Sequence, residues 1–277
     1  MAMSEFNKHI ISPSKLNQII NNEQLKIIDC RWYINDKKKG KEEYEKKHIP
    51  GAIFFDLEKN SDLNNPIPHM LPKKEKFISF LKNNGITPVN DIVIYDQIGF
   101  FCSSRVWFTF SYYNFKSVKI LNGGIKYWNE NNFALNRKKK TYLKKQKIEL
   151  IKKKMMVVNR GYVKKKINDK KTLIIDARPN KRFLGIEEEP RKNLKKGNIP
   201  GSINIPFTTL VDKKGRFLSK SILKKKFGEH VNFSLIKEVI CTCGSGVTAC
   251  NIIFGLNLLG IQNLKLYDGS WAQWGKK

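Results

Sequence analysis

The chain has 277 residues, 40 % of them hydrophobic and 17 of them Phe, which is apolar surface enough for two domains rather than one. Its five cysteines form no CxxC pair and no His/Cys cluster at zinc spacing, and no apolar run suits a signal-peptide core or a membrane span; this argues against a disulfide scaffold, a zinc site and a membrane protein, and predicts a cytosolic one. The formal charge of +29 comes from 45 Lys and 8 Arg, with the lysines scattered through every loop, a sign of compositional drift rather than of the Arg-rich stripe that reads nucleic acid.

In chain order, Leu25-Lys-Ile-Ile-Asp29 is a short strand ending in an acid, and His48-Ile-Pro-Gly-Ala-Ile53 follows it. Helical patterns cover 75–84 and 103–113 and bracket a strand at Ile92-Val-Ile-Tyr-Asp96; Ile120-Leu-Asn-Gly-Gly124 and Trp128 close the first half. Residues 136–155 carry runs such as Arg137-Lys-Lys-Lys140 with little periodicity, as an exposed connector would. The order then repeats: Thr172-Leu-Ile-Ile-Asp176, Asn198-Ile-Pro-Gly-Ser-Ile203, Val239 to Cys243, a helix over 248–259, and Leu266-Tyr-Asp-Gly269 with Trp274. The offset between matching blocks stays between 146 and 150 residues, which means duplication. The predicted fold is α/β, two tandem domains each built on a mostly parallel sheet flanked by helices. The predicted boundaries are 1–137 for a non-catalytic domain, 138–156 for a basic linker and 157–277 for a catalytic domain.

The copies differ at one decisive place. Cys243 lies opposite Asp96, so only the second half has a nucleophile, in the turn Cys243-Gly-Ser-Gly-Val-Thr-Ala249 between a β-branched strand and a helix read as amphipathic. The N–H groups of a Gly-rich turn and the positive end of a helix both favour an anion, so a thiolate is stabilised there. An ordinary thiol is only about 3 % ionised at pH 7, and a depression of ~2 units, worth ~2.7 kcal/mol, makes the thiolate the majority form. The competing reading is a small buried hydrophobe at a strand end, which is how Cys241 and Cys250 are read.

These residues carry a resemblance to the tandem-domain rhodanese family, closest to its members that use 3-mercaptopyruvate. It spans nearly the whole chain through His48-Ile-Pro-Gly-Ala, Phe54-Phe-Asp56, His69-Met-Leu-Pro72, Ser104-Arg-Val-Trp107, Asn198-Ile-Pro-Gly, Tyr267-Asp-Gly-Ser-Trp271 and, most specifically, the loop with Val247-Thr-Ala249. The resemblance implies that Cys243 cycles between thiolate and persulfide, releases pyruvate and passes sulfur to cyanide, a small thiol or a thioredoxin-like protein. It implies no metal or organic cofactor, and a monomer with no specific nucleic acid or membrane partner is expected. Thiosulfate users carry basic residues straight after the cysteine; here Gly244, Ser245 and Gly246 are neutral, which favours mercaptopyruvate, with thiosulfate the alternative donor.

By the same resemblance Arg182 and Arg191 hold the donor's carboxylate and carbonyl oxygens. A planar guanidinium offers paired donors that an ammonium cannot, which fits the survival of both in so Arg-poor a chain. Gly244, Gly246, Val247 and Thr248 complete the substrate loop. The family's Ser-His-acid relay falls on Ser245, His69 and Glu58, a departure because the acid is usually Asp. His69, between Pro68 and Pro72, reads equally as a packing histidine. Arg178 reads as a brace for the turn after its strand, His48 and His9 as surface or structural, and His230 as a loop residue. Related Cys-dependent phosphatases need an Arg where this chain has Ala249, so that chemistry is set aside. A non-catalytic rhodanese-like module or a polyanion binder is the alternative outside enzymology.

Overall fold

The structure is a computed structural model that describes residues 8–138, 141, 147–153 and 156–277. Much of the basic connector expected at 138–156 lies outside the described residues. The chain forms two compact units. Unit 1 comprises 1–63, 71–153 and 213–217; unit 2 comprises 64–70, 154–212 and 218–277.

Unit 1 holds strands β1 (Ile10–Ile11), β2 (Leu25–Asp29), β3 (Ala52–Phe54), β4 (Asp91–Tyr95) and β5 (Val118–Leu121) in the order β1-β5-β4-β2-β3. Unit 2 repeats this with β6 (Val157–Val158), β7 (Thr172–Asp176), β8 (Ile203–Asn204), β9 (Glu238–Thr242) and β10 (Leu264–Tyr267), ordered β6-β10-β9-β7-β8. Every strand pairing in both sheets is parallel. The duplication extends to register: Leu25 pairs with Asp91 and Asp29 with Tyr95, as Thr172 pairs with Glu238 and Asp176 with Thr242.

The local causes are repeated too. Ser12 and Asn159, matching positions, cap the helices Pro13–Ile19 and Arg160–Lys166 by accepting the N–H of Lys15 and of Tyr162. β2 and β9 are buried along their whole length, as central parallel strands require, with Ile27-Ile28 and Val239-Ile240-Cys241 at their middles and polar residues toward their ends. Where charge enters this interior it is paired: Lys265 meets Glu238 at 3.2 Å, and Tyr162 donates to the same carboxylate at 2.7 Å. Ile11, Ile27, Val93, Tyr95 and Trp128 pack into one core; Val158, Ile174, Ile240, Tyr267 and Trp271 pack into the other.

One expectation changes. The helix Ala249–Leu258, read as amphipathic, is buried on all sides apart from Asn257, and Ser103–Tyr112 is buried from Ser103 through Ser111. Helices buried all round belong in an interior; Ile, Phe and Leu meet that demand in the first, whereas the second pairs Val106, Trp107, Phe108 and Phe110 with the buried polar residues Ser103, Ser104, Arg105, Thr109 and Ser111.

Candidate active site

β9 ends at Thr242, and the chain turns through 243–248 before the buried helix begins. The turn is anchored from the segment after β10: Trp271 N–H donates to the Cys243 carbonyl at 2.9 Å, Ala272 N–H to the Gly244 carbonyl at 2.9 Å, and Cys243 N–H to Ser270 Oγ at 3.1 Å. Val247 and Thr248 accept the N–H groups of Cys250 and Asn251 as the helix starts. Gly246 has φ +77°, and a Cβ there would meet the Asp268 carbonyl at 2.7 Å, so this position requires glycine. Cys243 itself is 2 % exposed.

Both expected arginines converge on this turn. A Cβ on Gly244 would lie 3.1 Å from Arg182 Nη2 and 3.7 Å from Arg191 Nη1, so the bare glycine backbone leaves room for two guanidiniums. Ser245 Oγ lies 3.0 Å from His69 Nδ1, and Arg191 Nη2 donates to that hydroxyl at 3.3 Å. A guanidinium only donates, so Ser245 Oγ accepts from Arg191, while the direction of the Ser245–His69 bond follows the imidazole tautomer. Ser245 and His69 are both buried, and His69 sits at φ +59°. Cys243, Gly244, Ser245, Gly246, Val247, Thr248, His69, Arg182 and Arg191 thus all belong to unit 2. Glu58 belongs to unit 1, where it accepts the Trp32 indole N–H at 2.9 Å and pairs with Lys37 at 3.2 Å.

Glu189 is a further residue of this site, outside the set expected from sequence. Its carboxylate, 2 % exposed, takes Arg178 Nη1 at 2.6 Å on one oxygen and Arg182 Nη2 at 2.5 Å on the other. Arg178 is held in turn by both oxygens of Asp176 and by the Gly197 carbonyl, and it stacks on Trp271 at 4.4 Å. Arg182 is therefore aimed by a buried chain of alternating charges. The available signal was an acid two residues before Arg191 in a chain with few arginines.

Of the other cysteines and histidines, Cys241 and Cys250 are fully buried, and burial pushes the Cys241 thiol well up. His48 is buried, with Nδ1 on the Tyr44 carbonyl, whereas His230 is exposed.

Unit 1 holds the sister turn. Asp96 stands 147 residues before Cys243, and its carboxylate accepts the backbone N–H groups of Ile98, Gly99, Phe101, Cys102 and Ser103 at 2.5–3.0 Å. The two turns share further geometry. Gly99 and Gly246 both have positive φ, Ser103 Oγ donates to the Gly99 carbonyl as Cys250 Sγ does to that of Gly246, and Ile125 N–H holds Asp96 as Trp271 N–H holds Cys243. A turn of this shape gathers five donors around an anion at its first side chain. Where Arg182 joins Glu189 in unit 2, Tyr33 donates to Glu43 in unit 1, and Arg31 meets Glu43 at 3.5 Å as Arg178 meets Glu189.

Residues 12–131 and 159–277 each match the rhodanese-like domain family. The 3-mercaptopyruvate sulfurtransferase of Mus musculus is 33 % identical over 257 residues, covering 92 % of this chain and 86 % of its own. The thiosulfate/3-mercaptopyruvate sulfurtransferase 1, mitochondrial, of Arabidopsis thaliana is 34 % identical over 286 residues, covering 96 % of this chain and 75 % of its own. The crystal structure of SseA from Escherichia coli, titled for 3-mercaptopyruvate sulfotransferases, superposes with a TM-score of 0.84 at 32 % identity, covering 95 % of this chain and 98 % of that one. Among the described residues no helix is long and apolar enough to cross a membrane.

Proposed function

The chain belongs to the rhodanese family, and from that premise we propose that it is a sulfurtransferase whose Cys243 takes sulfur from 3-mercaptopyruvate. The observation that carries this reading is the meeting of Arg182 and Arg191 over Gly244, with the Ser245–His69 pair beside them. Two guanidiniums suit the paired oxygens of an α-keto carboxylate.

The Cys243 thiolate attacks the donor sulfur; a sulfur–sulfur bond forms, the carbon–sulfur bond breaks, and its electron pair leaves as the enolate of pyruvate. The enolate carbon takes a proton, which Ser245 and His69 are placed to hand on, and the new persulfide gives one up. Proton count and oxidation level balance with no metal or organic cofactor. The persulfide anion then occupies the place that Asp96 fills in unit 1. An acceptor thiol, small or on a thioredoxin-like protein, removes the outer sulfur and restores the thiolate. Catalysis is assigned to 157–277 together with His69, in a monomeric cytosolic protein. By resemblance Glu58 would be the relay's acid; its carboxylate serves Trp32 and Lys37 within unit 1.

Thiosulfate is the second donor, since both arginines also suit an inorganic dianion, but Gly244, Ser245 and Gly246 place no further cation next to the sulfur. Turnover of the two donors tests the assignment. Cys243→Ser should abolish both reactions, and Arg182→Lys should impair mercaptopyruvate more than thiosulfate through its lost paired hydrogen bonds. Wild-type rates in Cys243→Ser would end the proposal.

A further inference from the structure

Ser270 has φ +48° and is fully buried, although it is not glycine. A side chain in the left-handed region is held there against its preference, and such residues persist where the surroundings impose them. The same chain supplies the relaxed alternative: at the matching place in unit 1 stands Gly124, φ +61°, where a Cβ would collide with the Asp96 carbonyl and the Gly99 nitrogen, both at 2.5 Å. Unit 1, which has no sulfur to position, uses the unstrained residue; unit 2 makes room for a side chain. The hydroxyl that this admits accepts the Cys243 N–H at 3.1 Å and donates to the Tyr267 carbonyl at 2.9 Å, tying the end of β9 to the end of β10.

We propose that Ser270 is a positioning residue for the nucleophile: its hydroxyl fixes the peptide from which the Cys243 side chain projects, so that the sulfur stands over the turn's N–H groups, and the left-handed backbone is retained to seat that hydroxyl. This rests on the reading of Cys243 as the reacting group and adds what aims it. Two neighbouring contacts make the arrangement rigid, because the Trp271 and Ala272 N–H groups bind the Cys243 and Gly244 carbonyls from the same short segment. Loss of the hydroxyl leaves those two bonds in place and frees only the amide on which the sulfur's direction depends.

The test compares wild type, Ser270→Gly and Ser270→Ala in thermal midpoint, in kcat and KM for 3-mercaptopyruvate, and in the rate of Cys243 alkylation by iodoacetamide as a function of pH, read by peptide mass. Glycine removes the strain and the hydroxyl together, so Ser270→Gly should keep its thermal midpoint and KM while kcat and alkylation fall about tenfold, the factor carried by one hydrogen bond. The pH of half-maximal alkylation should rise. Ser270→Ala, which keeps the strain without the hydroxyl, should share the kinetic loss and also melt earlier. Wild-type alkylation and kcat in either variant would overturn the proposal, as would a collapse of stability in Ser270→Gly with rates that merely track the folded fraction. If wild-type Cys243 gains no sulfur from either donor, the sulfurtransferase reading fails, and the alkylation comparison still decides the role of Ser270.

Discussion

Glu189 governs what Arg182 can offer a donor. Its carboxylate takes Nη2 and Nε of that guanidinium, leaving Nη1 and the outer edge for a ligand. Glu189→Gln keeps the shape and removes the charge, so Arg182 gains freedom that binding must then withdraw. KM for 3-mercaptopyruvate should rise about tenfold, equivalent to ~1.4 kcal/mol, with kcat little changed, because the lost contact serves ground state and transition state alike. Steady-state kinetics check this, and a fall in kcat at constant KM would contradict it. A second outcome concerns sulfur. Burial pushes the thiols of Cys30 and Cys241 well up, so native protein treated with iodoacetamide should carry label at Cys243 and none at those two until it is unfolded. Equal labelling of Cys241 in the native protein would refute this. Arg182 and Arg191 were singled out by the family resemblance, with which their rarity agrees; Glu189 was not, since an acid among lysines looks like any solvated charge. Ser270 was invisible for another reason: a backbone angle leaves no mark on residue type when the residue is not glycine.

The turn after each central strand is the element that decides function. In unit 1 it is closed by its own carboxylate, since Asp96 satisfies five backbone donors. Asp96→Ala leaves those donors buried without their anion and should cost about 3 kcal/mol or more. Sulfate should restore part of that loss by filling the vacated cradle, because an anion bound only by the folded state adds stability through mass action. Urea titrations with and without sulfate read both effects; sulfate-independent stability in the variant would show that the turn does not hold an anion. The strands flanking these turns were readable from their apolar runs, and Thr172–Asp176 has the bounds expected of it. The two-residue strands Ile10–Ile11, Val157–Val158 and Ile203–Asn204 were not, because two residues carry no period. The Ala249–Leu258 helix was placed well but its burial was misjudged, since Cys250, Asn251 and Gly255 interrupt an apolar pattern without marking a solvent face.

The whole molecule adds a field that no single residue supplies. Duplication was legible from spacing, but the grouping of 64–70 with unit 2, which brings His69 to Ser245, depends on chain path and not on periodicity. The surplus of 53 basic over 24 acidic side chains is likewise plain in the sequence, and its consequence follows from the sign of the proposed donors. Both donors are anions, so a charge of +29 raises their local concentration and speeds encounter, an effect that salt screens over a Debye length of about 10 Å at 0.1 M. Arg182 and Arg191 act at contact distance and are screened less. The two contributions separate with a matched pair of reagents. Iodoacetate is anionic and iodoacetamide neutral, and both alkylate the same sulfur with similar steric demand. The ratio of their rates at Cys243 should exceed the ratio for a free thiol at low salt, fall several-fold as salt rises, and level off above that free value. The part that disappears measures the long-range field of the lysines, and the plateau measures the arginines. Arg182→Lys and Arg191→Lys should lower the plateau and leave the slope, since both keep the charge and lose the fork. A ratio independent of salt would show that the lysine surplus plays no part in drawing the donor to the sulfur.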